Sequence, residues 1–261
     1  MDGEFEAPGA RIAYSVHGEG APLLLIAGIG YARWCWQWLL PQLSGYRVIT
    51  MDNRCSGSSS CPQEPFDMSD LSSDCIALLD HLEVERCSVF GVSMGGFVAQ
   101  LLALDHPDRV ARLILGCTHM GLSKMAMLSD EALAQLSDRS GTPEEQIRRG
   151  MPFAFRPGWV DEHPDEFEAI VAKRLEFQPP PEIYMRQLAG TLTFDMGEKA
   201  AAIVTPTLVL QGTGDRVVPP DNARLIAETI PGARLEWLDG AGHLFFIEEP
   251  ARVGGLIDEG P

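Results

Sequence analysis

The pentapeptide Gly91-Val92-Ser93-Met94-Gly95 lies between the apolar run CSVFGV and the helical pattern GGFVAQLLAL. Small residues around a serine let a strand turn sharply into a helix, holding the hydroxyl in a strained conformation and clear of its neighbours. The alternative is a plain tight turn. A serine hydroxyl becomes nucleophilic only when a base takes its proton. Of six histidines, His17, His81, His106, His119 and His163 fall in helical patterns, beside proline in turns, or upstream near strand ends. His243, in LDGAGHLFF, follows the last strand pattern on a flexible turn of Gly240, Ala241 and Gly242. It is either the base or a surface helix cap. The base in turn needs an acid to fix its tautomer and stabilise the imidazolium. Asp215, in TLVLQGTGDRVVP, stands on a loop beyond a buried-strand pattern, and Asp239 is its rival. Asp239 is the weaker candidate, because its closeness to His243 suits a residue that turns the same loop. Ser93, Asp215 and His243 each follow a strand pattern, and together they point to acyl transfer.

A second stretch, LLLIAGIGYARWCWQ, breaks an apolar run with Gly28 and Gly30. Such bare backbone can cradle a phosphate, make a tight turn, or present an amide to a reacting oxygen. The dinucleotide pattern G-x-G-x-x-G fails because Arg33 occupies its third glycine and no ribose-binding acid is in place. A P-loop fails for lack of the Gly-Lys-Ser/Thr ending.

Strand patterns must carry these loops. They cover residues 11–16, 22–27, 46–51, 87–92, 110–116, 207–211 and 234–238, with residues 4–6 joined to the first by a Pro8-Gly9 turn. Amphipathic stretches at 33–43, 68–82, 95–106, 222–230 and 244–256 alternate with them, as in an α/β chain with a mainly parallel sheet. Residues 118–203 contain helical patterns only, at 129–137, from the Thr142-Pro143-Glu144-Glu145 start signal, at 164–174 and at 181–192. These helices read either as a lid over the sheet's C-terminal edge or as a separate packing layer. The division expected is a core over 1–117, a helical cap over 118–203 and a second core part over 204–261.

The chain has 261 residues, 45% hydrophobic and 22% charged, enough for a substantial core. Its formal net charge of −17 disfavours nucleic acid and anionic membranes as partners. The first residues lack a signal-peptide pattern, and no apolar run is long enough to span a bilayer. The six cysteines are scattered without C-x-x-C or a histidine cluster, which suggests reduced thiols, a cytoplasmic location and no metal site.

The motifs GVSMGGF, GTGDRVVP, GAGHLFFIEEP and MDNRCSGSS resemble those of the α/β-hydrolase superfamily, as does the order Ser, Asp, His. The resemblance runs from the N-terminal hairpin to the last helix. It implies a mostly parallel sheet with flanking helices and a helical lid inserted after the sixth strand. It also implies oxyanion-hole amides at Ile29 and Met94, and a scaffold role for Asp52, Arg54, Gly57 and Ser59. Ala27 stands where the family usually has a histidine that braces the glycine loop, and Cys55 replaces a family glycine. Aspartate-nucleophile members are excluded by Ser93. Small esterases and lactonases of the 3-oxoadipate enol-lactonase type are the nearest group, with no cofactor and a small-molecule ester or lactone as substrate. Gly28, Gly30, Tyr31, His119, Phe153 and Trp159 are the candidate substrate contacts, and Arg33 and Arg156 the candidate partners of a substrate carboxylate. A thioester, a carbon–carbon bond beside a ketone, or a non-catalytic receptor role are the alternatives.

Overall fold

A computed structural model describes residues 1–127, 129–138 and 140–260. Leu128, Arg139 and Pro261, which the expected cap and second core part include, lie outside them. Eight strands form one sheet in the order β1-β2-β4-β3-β5-β6-β7-β8. They are β1 (Asp2–Ala7), β2 (Ala10–His17), β3 (Ala21–Ile26), β4 (Tyr46–Met51), β5 (Cys87–Val92), β6 (Val110–Gly116), β7 (Thr207–Gly212) and β8 (Arg234–Leu238). β2 pairs antiparallel with β1 and β4, and every later pairing is parallel.

Parallel strands are buried on both faces, and β3 shows what that demands of a sequence. Leu24 and Ile26 point into a core shared with α1 (Met68–His81) and α2 (Met94–Asp105), while Leu23 and Leu25 point into the opposite one. All four are fully buried, so the run is apolar throughout and does not alternate. Between β6 and β7 lie α3 (Asp130–Ser137), α4 (Pro143–Gly150), α5 (Trp159–Glu162), α6 (Pro164–Glu176) and α7 (Pro181–Leu192). The start signal at residue 142 forms a capping box, with Thr142 accepting from the Glu145 amide and the Glu145 carboxylate from the Thr142 amide. α8 (Asp221–Thr229), α9 (Phe245–Glu248) and α10 (Pro250–Glu259) complete the chain. Among the described residues, no helix is long and apolar enough to cross a membrane.

Two expected helices are different. Residues 33–43 form 3₁₀ turns, Arg33–Trp36 and Leu40–Gln42, rather than one amphipathic helix. Pro41 cannot donate a main-chain bond within a longer helix. Pro250, at the start of α10, likewise breaks the 244–256 stretch after α9.

The loop after β4 is a scaffold. The Asp52 carboxylate accepts from the amides of Arg33 (2.7 Å) and Ser58 (2.9 Å) and pairs with the Arg33 guanidinium. Gly57 is at φ 53°, and a Cβ there would strike the same carboxylate. Arg54 donates through Nε and Nη2 to both Asp74 oxygens at 2.7 Å, with both side chains buried. The expectation of six reduced thiols is corrected here: Cys55 and Cys61 form a disulfide, and Cys35, Cys75, Cys87 and Cys117 are free. Cys55 adopts a left-handed conformation (φ 67°) that favours glycine. This pairing removes the redox argument for a cytosolic location.

Two measurements check this loop. Unfolded without reductant, the protein should titrate as four thiols, and as six after reduction. Asp74→Ala strands the buried Arg54 charge and should cost about 3–5 kcal/mol in urea unfolding.

Candidate active site

Ser93 leaves β5 at φ 53° and ψ −122° and caps α2. A non-glycine residue in such a conformation costs about 1–3 kcal/mol and persists only where its surroundings over-determine it. Here the Ser93 amide donates to the Gly116 carbonyl at 2.9 Å. Its carbonyl accepts from the Gly96 amide at 2.9 Å and the Thr118 hydroxyl at 2.7 Å. A Cβ at Gly91 would lie 2.2 Å from the Gly95 carbonyl oxygen, and one at Gly95 would lie 2.1 Å from that of Ile26. One at Gly28 would come within 3.1 Å of Ser93 Cβ, so the glycine loop after β3 lies against the serine turn.

Asp215 follows β7 and His243 follows β8, both at the C-terminal ends of parallel strands, as is Ser93. His243 Nδ1 is 2.9 Å from Asp215 Oδ2. An ionised carboxylate only accepts, so the imidazole donates through Nδ1 and keeps Nε2 as its basic nitrogen. Asp215 Oδ1 also accepts from the amides of Val217 (2.8 Å) and Val218 (2.9 Å), and Oδ2 from Gln211 Nε2 (2.9 Å). Burial works against the imidazolium. The Asp215 charge and hydrogen bond, aided by Cys117, outweigh it and hold the His243 pKa well above its ordinary value. Asp239 bonds Thr213 instead, and so serves the turn.

Cys117, at φ 42°, sets its thiol beside the His243 imidazole and the Ser93 amide. Burial raises its pKa against the pull of His243, which favours the neutral thiol. Its sulfur, an Asp215 oxygen and a His243 nitrogen lie within 4.8 Å of one another. Two of these three donors already bond each other, which suits proton transfer more than metal ligation.

Ser93 Oγ makes no hydrogen bond among the described residues. Catalytic serine–histidine contacts are often long in a free enzyme and tighten around the reactant. The Met94 amide opens α2, and the Ile29 amide sits in the glycine loop. Neither donates to any group among the described residues, which leaves both available to an incoming oxygen.

Ala27 leaves the glycine loop without the histidine brace, and other groups supply it. Asn53 Nδ2 donates to the Ala27 carbonyl at 3.1 Å, the Tyr31 amide to the Gly28 carbonyl at 3.2 Å, and the Arg174 guanidinium of α6 to the Gly30 carbonyl. Tyr31 lies beneath that guanidinium at 4.5 Å, and burial raises its phenol pKa.

The other candidate contacts have the following partners. His119 accepts from the Gly121 amide at Nδ1 (3.0 Å) and packs on Phe97; desolvation lowers its pKa to about 4, so it is neutral. The Phe153 ring lies under Arg216. Trp159 is 1% exposed, stacked between Phe155 and His163. Arg33 and Arg156 are each paired with an acid, Asp52 and Glu162, which offsets their charge.

Sequence reasoning missed Gln211, Cys117, Arg174 and Glu248. Glu248 accepts from the amides of Gly242 (3.1 Å) and Arg156 (2.8 Å), tying the His243 loop to the cap. Arg174 did leave a signal. Phe167, Ile170 and Val171 form the buried stripe of α6, and residue 174 is its next inward position.

A base must be neutral to accept a proton. Because Asp215 raises the His243 pKa, the acid limb of kcat/KM for ester hydrolysis should lie above the ordinary histidine value of about 6.5. Asp215→Asn should move that limb to lower pH and reduce turnover by about 10⁴-fold, measured as a pH–rate profile.

The family model for the alpha/beta hydrolase fold matches residues 21–250. RutD of Variovorax paradoxus (strain S110), classed as a carbamate hydrolase, is 31% identical over 251 residues, covering 91% of each chain. The 3-oxoadipate enol-lactonase 2 of Acinetobacter baylyi is 30% identical over 214 residues, covering 82% of this chain and 78% of that one. A hydrolase structure from Pseudomonas aeruginosa PA01 superposes with a TM-score of 0.85 at 31% identity, covering 99% of this chain and 97% of that one. With a match over most of its length and the strand order described above, the chain belongs to the α/β-hydrolase fold family.

Proposed function

We propose that the protein is a serine hydrolase that cleaves a carboxylic ester or lactone through an acyl-enzyme on Ser93. The observation that carries this is the Asp215–His243 hydrogen bond, which reserves Nε2 as a base at the sheet edge where the strained Ser93 projects. The carbamate hydrolase and enol-lactonase relatives are named for reactions at an acyl carbon, in keeping with the same machinery.

In the first step His243 Nε2 takes the Ser93 proton while Oγ bonds to the acyl carbon, and the carbonyl electrons move onto its oxygen. The amides of Ile29 and Met94 bind that oxyanion, each contributing on the order of 10²–10³ in turnover. The tetrahedral centre collapses, His243 protonates the departing alkoxide, and an acyl-serine remains. Water then attacks with His243 as base, the serine leaves with its proton restored, and the acid is released. In a lactone the leaving alkoxide stays tethered, so the product is a hydroxy acid, or its keto tautomer from an enol lactone.

A fluorophosphonate probe should label Ser93, and a short-chain para-nitrophenyl ester should be turned over. Ser93→Ala should abolish both, and unchanged hydrolysis by that variant would refute the assignment. Matched oxygen ester, thioester and vinylogous diketone substrates then rank the bond cleaved. Tight ligand binding without labelling would mark a receptor instead.

A further inference from the structure

We propose, building on the hydrolase reading, that Arg174 is a binding residue for a carboxylate carried by the substrate, so that the enzyme acts on anionic esters or lactones. Its position follows from helix periodicity. Phe167, Ile170 and Val171 bury the inner face of α6, and an arginine seven residues beyond Phe167 continues that face toward the glycine loop. An inward-facing guanidinium needs compensation, and the usual partner is an acid.

Among the described residues, no carboxylate pairs with Arg174. One Nη donates to the Gly30 carbonyl, the plane lies over the Tyr31 ring at 4.5 Å, and Nε is buried without a partner. A guanidinium has five N–H donors in a planar fork, so this set leaves donors open to a bidentate acceptor. Arg33 and Arg156, by contrast, already have an acid, Asp52 and Glu162, to offset their charge.

Distance sets the substrate's length. A Cβ at Gly28 would lie 3.6 Å from Ser93 Oγ, and Gly30 is two residues further along the loop. Two residues span at most about 7 Å, so a carboxylate within about six bonds of the scissile carbonyl is long enough to bridge serine and guanidinium. In a protein of net charge −17, such an anion needs a local cation to be held at all.

The test compares mono-para-nitrophenyl adipate with para-nitrophenyl hexanoate, a neutral ester of equal chain length. Arg174→Met should lower the adipate-to-hexanoate ratio of kcat/KM about 10–100-fold, mainly through KM, the range expected for a charge-assisted hydrogen-bonded pair. Arg174→Lys should restore part of it. Loss of a loop brace alone would depress both esters together and leave the ratio where it was, which would overturn the proposal. Arg216→Met removes an exposed guanidinium bonded to the Pro152 and Phe155 carbonyls and should leave the ratio intact; an equal drop there would point to diffuse electrostatics and also overturn it. A second measurement needs no turnover: calorimetric binding of adipate to Ser93→Ala, with and without Arg174→Met. Equal affinity in the two refutes the carboxylate role. Absent fluorophosphonate labelling with Arg174-dependent adipate binding refutes only the hydrolase reading.

Discussion

Backbone crowding around Ser93 sets the distances on which the site depends. β5, the first turn of α2 and the end of β3 approach so closely that Gly91 and Gly95 face carbonyl oxygens at distances no Cβ could occupy. Carbonyls give way far less readily than side-chain ends, so these glycines follow from the strand-to-helix turn itself. The same closeness brings Gly28 onto the serine and lets Thr118 and Gly116 bond its main chain. Three strand ends are therefore fixed to one another through backbone contacts, before any catalytic side chain is considered. A strained residue held this way does not relax when its neighbours move, which is what a nucleophile requires of its support.

The second constraint is electrostatic. Burial raises the cost of every charge, and the buried acids here are each met by several donors. Asp215 receives two amides, Gln211 and His243; Asp52 receives two amides and Arg33; Asp74 receives a bidentate Arg54. For His243 the competing effects have opposite signs, and the adjacent Asp215 charge outweighs desolvation. Cys117 fills the space beside that pair with a group that is small and uncharged when protonated. A charged residue there would compete with Asp215 for the imidazole.

Much of the fold was legible because a buried parallel sheet leaves a plain trace. β4, β5, β6 and β8 begin and end where their strand patterns do. The misread 33–43 segment mimics helical spacing, since Cys35, Trp36, Leu39 and Leu43 would share one helical face, while Pro41 prevents a continuous helix. Trp159 shows the limit of composition as a guide, since an aromatic serves packing as readily as a pocket, and its stacking on Phe155 is not encoded in local pattern. The disulfide was hidden because two cysteines six positions apart carry no distinctive spacing, and the left-handed Cys55 is not legible in local pattern. Ion pairs such as Arg33 with Asp52 depend on where two loops meet, which local pattern does not encode.

The departure at Ala27 has a structural consequence that joins these threads. A histidine within the loop would brace it from inside the core, independently of anything above the sheet. With alanine there, part of the bracing comes from Arg174, which belongs to α6. The glycine loop is thus tied to the position of α6. Whatever shifts that helix also shifts the Gly30 carbonyl and the Tyr31 ring beneath the guanidinium. A ligand that engages Arg174 then acts on the loop through the same side chain, because the guanidinium must share its donors between Gly30 and the ligand. The glycine loop and α6 are thereby linked through one side chain, which also carries the charge proposed to meet the ligand.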